Sequence, residues 1–273
     1  MTETAVPTTP AAPRRLVPPR SRRERLVELG VVAALVAVFG YAWHDTGASI
    51  SALVHGFGNT VRLIARAVPP DWSVLRDSIS ASILTFNTAL LATAGALVIS
   101  LVLTPLAAKN LSPHRVVYEV TRLVIGVLRA IPEFVFALIF LVAVGISPYS
   151  IVLAIAAHTV GVLGKLFAEA VEDMDMGPVD ALRAAGASRL QVFVHAVLPG
   201  IAATFTGLSL YRLDTNVRAA LYLGAFGGGG LGFMLFNSMQ LFQYKQATTE
   251  LIVLLVLLLV VERVSLLLRQ RIL

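Results

Sequence analysis

No cysteine occurs among the 273 residues, which excludes a disulfide framework, a Cys-ligated metal or cluster, and thiol catalysis. Charge is scarce: 14% of the residues are Asp, Glu, Lys or Arg, against about 25% in a soluble domain. No G-x-x-x-x-G-K-[S/T] run is present, so the chain cannot hydrolyse ATP through a P-loop. It also lacks H-E-x-x-H and clustered histidines, and the reading is of no catalytic site and no metal site. What fills the chain is apolar: 57% of residues are hydrophobic and the mean hydropathy is +0.80. These values exclude a soluble globular enzyme, a disordered protein and a nucleic-acid-binding domain. The formal charge of +6 then reads as Lys and Arg retained in cytoplasmic segments of a membrane protein. The expected fold is all-α and polytopic.

Residues 1–25 hold five prolines and six arginines with almost no apolar run, which predicts a disordered basic cytoplasmic tail. The remainder, residues 26–273, is read as one transmembrane domain. Leu26 to Trp43 is the first apolar run. A signal peptide shares its basic flank, but no small-residue cleavage site follows, which favours an uncleaved helix. Residues 44–78 are mixed and interrupted by Pro69-Pro70. Ile79 to Ala108 carries no charge over 30 residues, enough for a long tilted crossing.

Val116 to Ile146 forms a third apolar stretch with Pro132 in its middle, and Ser150 to Phe167 a fourth. A polar interval follows at 168–195. Crossings at Ala196 to Leu221 and Ala247 to Leu268 complete a count of about six. Residues 219–244, rich in Gly, Asn and Gln, read as a re-entrant or interfacial connection. Six crossings place both termini on one side. The basic tail, the turn with Lys109, His114 and Arg115, and the Arg269/Arg271 end share that side, which makes it the cytoplasm.

The cytoplasmic interval contains Asp180-Ala181-Leu182-Arg183-Ala184-Ala185-Gly186-Ala187-Ser188, then Leu198-Pro199. An Ala-rich segment stopped by Gly predicts a short helix, and composition alone allows it to be an ordinary surface helix. The spacing resembles the EAA loop of ABC-importer permeases, with Asp180 where Glu is usual. Arg129-Ala130-Ile131-Pro132-Glu133, His158-Thr159-Val160-Gly161, Gly164-Lys165-Leu166-Phe167-Ala168-Glu169 and Tyr211-Arg212 through Asn216-Val217-Arg218 are similar to phosphonate-importer permeases. Gly177-Pro178-Val179, the glycines at 227–232 and Phe242-Gln243-Tyr244 continue the likeness across residues 76–270. Ala219-Ala220-Leu221-Tyr222 departs from it, standing where small polar residues are expected.

The resemblance implies a type I ABC-importer permease, a transport subunit and not an enzyme, in the bacterial inner membrane. Its substrate would be phosphonate or a related phosphorus oxyanion, phosphite or phosphate. Asp180, Ala181, Ala184, Ala185, Gly186 and Ala187 would form the ATPase-coupling helix. The implied partners are cytoplasmic ABC ATPase subunits, an extracytoplasmic solute-binding protein, a second copy of the chain and membrane lipid, with no nucleic acid. The chain itself would hold no cofactor, ATP and Mg being bound by the ATPase.

Charges inside apolar segments cost several kcal/mol unless paired or hydrated, so each is a candidate site residue. Arg129, Glu133, Arg212, Asn216 and Arg218 are taken as the substrate pathway, because guanidinium groups bind oxyanions bidentately. Asp214 and Arg218 stand at ion-pair spacing, and Arg129 and Glu133 could pair across a Pro132 kink instead of serving substrate. His158 reads as a packing histidine beside Gly161. Lys165 reads as snorkelling or pairing with Glu169. Gly227, Gly229 and Gly232 satisfy G-x-G-x-x-G formally, but no strand precedes them, so a dinucleotide site is set aside. An ion-coupled secondary transporter or anion channel is the competing class, and a membrane enzyme acting on lipid phosphates a third.

Overall fold

The computed structural model describes residues 22–272, so residues 1–21 of the expected tail lie outside the described part. The described chain starts as helix at Arg22, four residues before that tail was expected to end. A division between Val61 and Arg62 separates two units.

The first unit carries α1 (Arg22–Asp45) and most of α2 (Ile50–Ala67). The 24 residues of α1 span about 36 Å, enough for a bilayer core of about 30 Å. Helix α2 occupies part of the interval 44–78, which the sequence reading left as mixed and interrupted by Pro69-Pro70, and it ends before those prolines. Ile50, Leu53, Val54, Phe57, Val61 and Ile64 recur at three- and four-residue spacing, so one face is apolar although the mean composition is mixed.

In the second unit a short 3₁₀ turn, Trp72–Val74, leads into α3 (Leu75–Ala107). Its buried stripe is made of small residues, among them Ser78, Ala89, Ala92, Thr93, Ala96, Ser100 and Thr104. Small side chains let neighbouring helices approach closely. The hydroxyls of Ser78, Thr85, Thr93 and Thr104 donate to carbonyls one turn back, at 2.7–3.0 Å, and need no outside partner. Against this stripe lie α6 (Pro148–Glu172) and the later α9 (Leu198–Leu223).

The third apolar stretch is two helices, α4 (Arg115–Ala130) and α5 (Glu133–Val144), bent by 90°. Pro132 has no N–H to continue the ladder, and the residue before it is driven to an extended conformation, as Ile131 shows with ψ 122. Among the described residues five helices are long and apolar enough to cross a membrane, or six if the bent pair is one span. The sequence count of six matches the upper figure.

The polar interval is mostly helical: α6 continues to Glu172, then come α7 (Gly177–Ala184) and α8 (Arg189–Val192). A π turn, Phe193–Val197, joins α8 to α9, and a second wide turn, Gly224–Gly228, ends α9. Helix α10 (Gly230–Gln240) has 11 residues, about 16 Å, too short to cross. The chain turns and runs out along α11 (Tyr244–Ile272).

Two apolar clusters lie at different levels of this unit. One gathers Ala89, Ala92, Phe136, Ile155, Val217 and Leu223 from four helices. The other gathers Ala107, Ile125, Val171, Val179, Val192 and Val197 beneath the helix ends that flank α7.

Candidate functional site

Helix α7 holds the expected coupling segment. Its amphipathy is simple: Val179 is fully buried in the second cluster, while Asp180, Ala181 and Ala184 are exposed. The helix ends in a Schellman motif, with Ala187 N–H donating to the Leu182 carbonyl at 3.0 Å and Gly186 N–H to that of Arg183 at 3.0 Å. Gly186 takes φ +82 there, and a methyl group at its Cα would meet nothing within 4 Å. Glycine is therefore required by the backbone turn and not by a neighbour. Ser188 then caps α8 in a reciprocal box with Gln191. Ala185 and Gly186 are exposed and Ala187 half-buried, so all six expected coupling residues lie on or near one accessible knob.

The knob is tied to the spans by specific bonds. Arg183 pairs with Asp180 at 3.4 Å and donates to the Asn110 carbonyl at 3.3 Å. The Asn110 amide donates to the Val171 carbonyl at 2.8 Å. Arg122 donates to Glu172 at 2.8 Å and to the Ala107 carbonyl at 2.7 Å, tying the middle of α4 to the ends of α3 and α6. Sequence reasoning placed Glu172 only within the polar interval at 168–195. It missed this clamp because the partner is 50 residues away. Lys165 pairs with Glu169 at 3.2 Å, one of its two expected fates.

The other candidates meet where α5, α6 and α9 come together. Arg212 is 8% exposed, and its Nη2 donates to Thr159 Oγ1 at 3.1 Å and to Asn216 Oδ1 at 3.2 Å. Asn216 Nδ2 donates to Thr93 Oγ1 at 2.9 Å. Asn216 is wholly buried: it holds α9 to α3 and accepts from the Arg212 guanidinium. Among the described residues Arg212 Nε has no hydrogen-bond partner.

Glu133, in the first turn of α5, faces this guanidinium. Its Oε1 stands 3.9 Å from Arg212 and 3.6 Å from His158 Nε2, while Oε2 accepts a hydrogen bond from Tyr222 Oη at 2.7 Å. His158 Nδ1 lies 3.1 Å from the Ile131 carbonyl, a group left over by the helix break. The Arg129–Glu133 pairing, left open by the sequence as an alternative, does not occur among the described residues, where Glu133 faces His158 and Arg212. The 90° bend swings α5 away and leaves Arg129 exposed in the last turn of α4. Arg218 pairs with Asp214 at 3.2 Å and is itself exposed. The structure thus brings Glu133, Arg212 and Asn216 together and sets Arg129 and Arg218 outside their network.

Thr93, Thr159 and Tyr222 belong to this cluster and were not singled out. Nothing in an uncharged stretch marks Thr93. Tyr222 did carry a signal, since it falls where small polar residues were expected. Gly161 permits the assembly: a methyl group there would stand 2.5 Å from the Arg129 backbone nitrogen, so α6 and α4 touch backbone to side-chain-free backbone. Among the described residues no group of three metal-ligating side chains occurs.

Long apolar helices around a buried, partly compensated charge cluster, with a capped helical knob between two spans, define an integral membrane transport component. The chain belongs to the family of binding-protein-dependent transport system inner membrane components, whose model matches residues 96–273. It is a permease component of a binding-protein-dependent transport system, a transport subunit and not an enzyme. It is 39% identical over 244 residues to a phosphite transport system permease protein (PtxC) of Stutzerimonas stutzeri, covering 89% of each chain. To a phosphate-import permease protein (PhnE) of Mycolicibacterium smegmatis it is 35% identical over 259 residues, 94% of this chain and 49% of that one. The fold is similar to a MetNI methionine ABC transporter chain, with TM-score 0.63 and 18% identity over 76% of this chain and 99% of the other.

Proposed function

We propose that this permease imports a phosphorus oxyanion of the phosphite, phosphonate or phosphate class. The observation that carries the reading is the likeness to the phosphite permease along nine-tenths of both chains. The buried Arg212 suits it, since a guanidinium offers a fixed fork of donors matched to tetrahedral oxyanions.

Two copies of the chain would face one axis, joined to two cytoplasmic ATPase subunits and one extracytoplasmic solute-binding protein. Both termini and α7 lie in the cytoplasm in this reading, as the distribution of Lys and Arg favours. ATP binding, with Mg, closes the ATPase dimer and draws the two α7 knobs together. Val179, seated among the span ends, passes that displacement to α6 and α9. The crossings open outward, the anion enters past Glu133 and Arg212 with Arg129 and Arg218 at the exposed flanks, and hydrolysis resets the pore inward. Asn216 and Thr159 keep the guanidinium aimed throughout.

The test is uptake in proteoliposomes holding the permease, its ATPase and its binding protein. Labelled phosphite, methylphosphonate and phosphate are compared with and without ATP. ATP-dependent accumulation of one of them is expected. Accumulation driven by an ion gradient without the ATPase would replace this reading with a secondary transporter.

A further inference from the structure

The turn between α10 and α11 repeats the geometry that ends α7, with an unexpected residue in it. Gln243 N–H donates to the Ser238 carbonyl at 2.8 Å and Phe242 N–H to that of Met239 at 3.2 Å, a second Schellman motif. The position that Gly186 fills after α7 is filled here by Phe242, at φ +59. Phe242 has the one positive φ among the described residues that are not glycine. A bulky side chain in this region is sterically disfavoured, and glycine would relieve it. The ring gains no burial in exchange, because Phe242 is 74% exposed.

Only the Phe242 backbone serves the cap, where glycine would serve as well, so its exposed ring is free to meet something outside the chain. The surroundings indicate what. Tyr244 meets the Phe242 ring edge-on with centroids 6.2 Å apart, which limits how the ring can swing. Beside it opens a hollow of about 460 Å³ lined by Arg66, Asp71, Lys245 and Gln246. Asp71 is already engaged, accepting from Ser73 at 2.6 Å and from Gln246 at 3.4 Å, so the rim presents a net positive charge. The exposed Phe242 ring with Tyr244 beside it, bordered by Arg66, Lys245 and Gln246, has the make-up of a protein-interface anchor with a polar rim.

We propose that the Phe242 turn is a docking knob for the extracytoplasmic solute-binding protein, which presents an apolar recess bordered by carboxylates. The inference rests on the membrane orientation proposed above, which puts the α10–α11 turn on the outer face. The preformed ring costs the partner no ordering on binding, and Arg66 and Lys245 steer the acidic rim.

The experiment uses the assembled importer in nanodiscs with its binding protein, reading ATPase stimulation against binding-protein concentration. Phe242→Gly is expected to raise or preserve thermal stability and basal ATPase while raising the half-saturating binding-protein concentration by about thirtyfold, the scale of an interface anchor. Lys245→Glu is expected to raise it further at low salt. A photo-reactive phenylalanine at 242 is expected to cross-link to the binding protein. An unchanged half-saturating concentration in Phe242→Gly, or cross-links to lipid alone, would overturn the proposal. Failure of the unaltered importer to respond to its binding protein would instead strike at the proposed function.

Discussion

Asn216 and Thr93 stand 123 positions apart in sequence and share a 2.9 Å hydrogen bond in the interior, joining α9 to α3. The same carboxamide accepts from Arg212 and from Thr159, so one side chain organises three helices around one guanidinium. Asn216→Ala leaves those groups unpaired in a buried place. The expected loss is about 1–3 kcal/mol of stability, with a larger loss of ATP-driven uptake. Thermal unfolding in detergent beside proteoliposome uptake checks it; full uptake would make the network merely structural.

Glu133 is the anion that the Arg212 guanidinium faces when no substrate is present. Glu133→Gln keeps the Tyr222 contact but removes the negative charge 3.9 Å from Arg212. Uptake is expected to fall because a bare buried cation holds an oxyanion too tightly to release it. Single-turnover measurements should show slowed release with unimpaired entry.

Two glycines fail for different reasons. Gly161→Ala forces a methyl group to 2.5 Å from the Arg129 nitrogen and should cost about 1–3 kcal/mol by overpacking. Gly186→Ala meets no neighbour and should cost about 1–2 kcal/mol through its positive φ alone. Gly186→Asn, which tolerates that conformation, should restore most of it. Unfolding curves of the three variants separate the two causes.

Gly186→Asp is expected to uncouple ATP hydrolysis from uptake without preventing membrane insertion, because a charge is placed on the exposed end of α7. Normal uptake with this variant would remove α7 from the coupling role.

The Ser73 hydroxyl and backbone N–H hold the Asp71 carboxyl below the usual carboxylate range, with Gln246 adding to them. A depressed folded value means that stability is present above the unfolded value and is lost as pH falls through the folded one. The attachment of the Trp72–Val74 turn to α11 through the Asp71 carboxylate and Gln246 should therefore be constant near neutrality and weaken only in acid. The Thr249 bond to the Asp71 carbonyl does not titrate. Asp71→Asn should flatten that acid limb in a pH series of unfolding midpoints.

Apolar runs located every span, and the sequence count reached six, because a lipid solvent demands long uncharged stretches. The helical knob with its glycine stop was also readable, since helix propensity and C-capping act within a few residues. Helix α2 escaped because its apolar residues lie on one face and average away in a linear reading. Arg129 and Glu133 seemed a natural pair at four-residue spacing, until a 90° break turned that spacing from neighbours into strangers.

By itself the sequence determined that this chain lives in a membrane, where its apolar helices lie, and which loop carries a capped knob. Each follows from local chemistry: hydropathy over twenty residues, a proline without an N–H, a glycine at the end of an alanine-rich turn. Tertiary structure alone decided that Glu133 answers Arg212, His158 and Tyr222, and that Asn216 is a buried strut. It also decided that Arg122 closes on Glu172. Such pairings depend on which faces of distant helices meet, and a single buried hydrogen bond leaves no periodic trace along the chain.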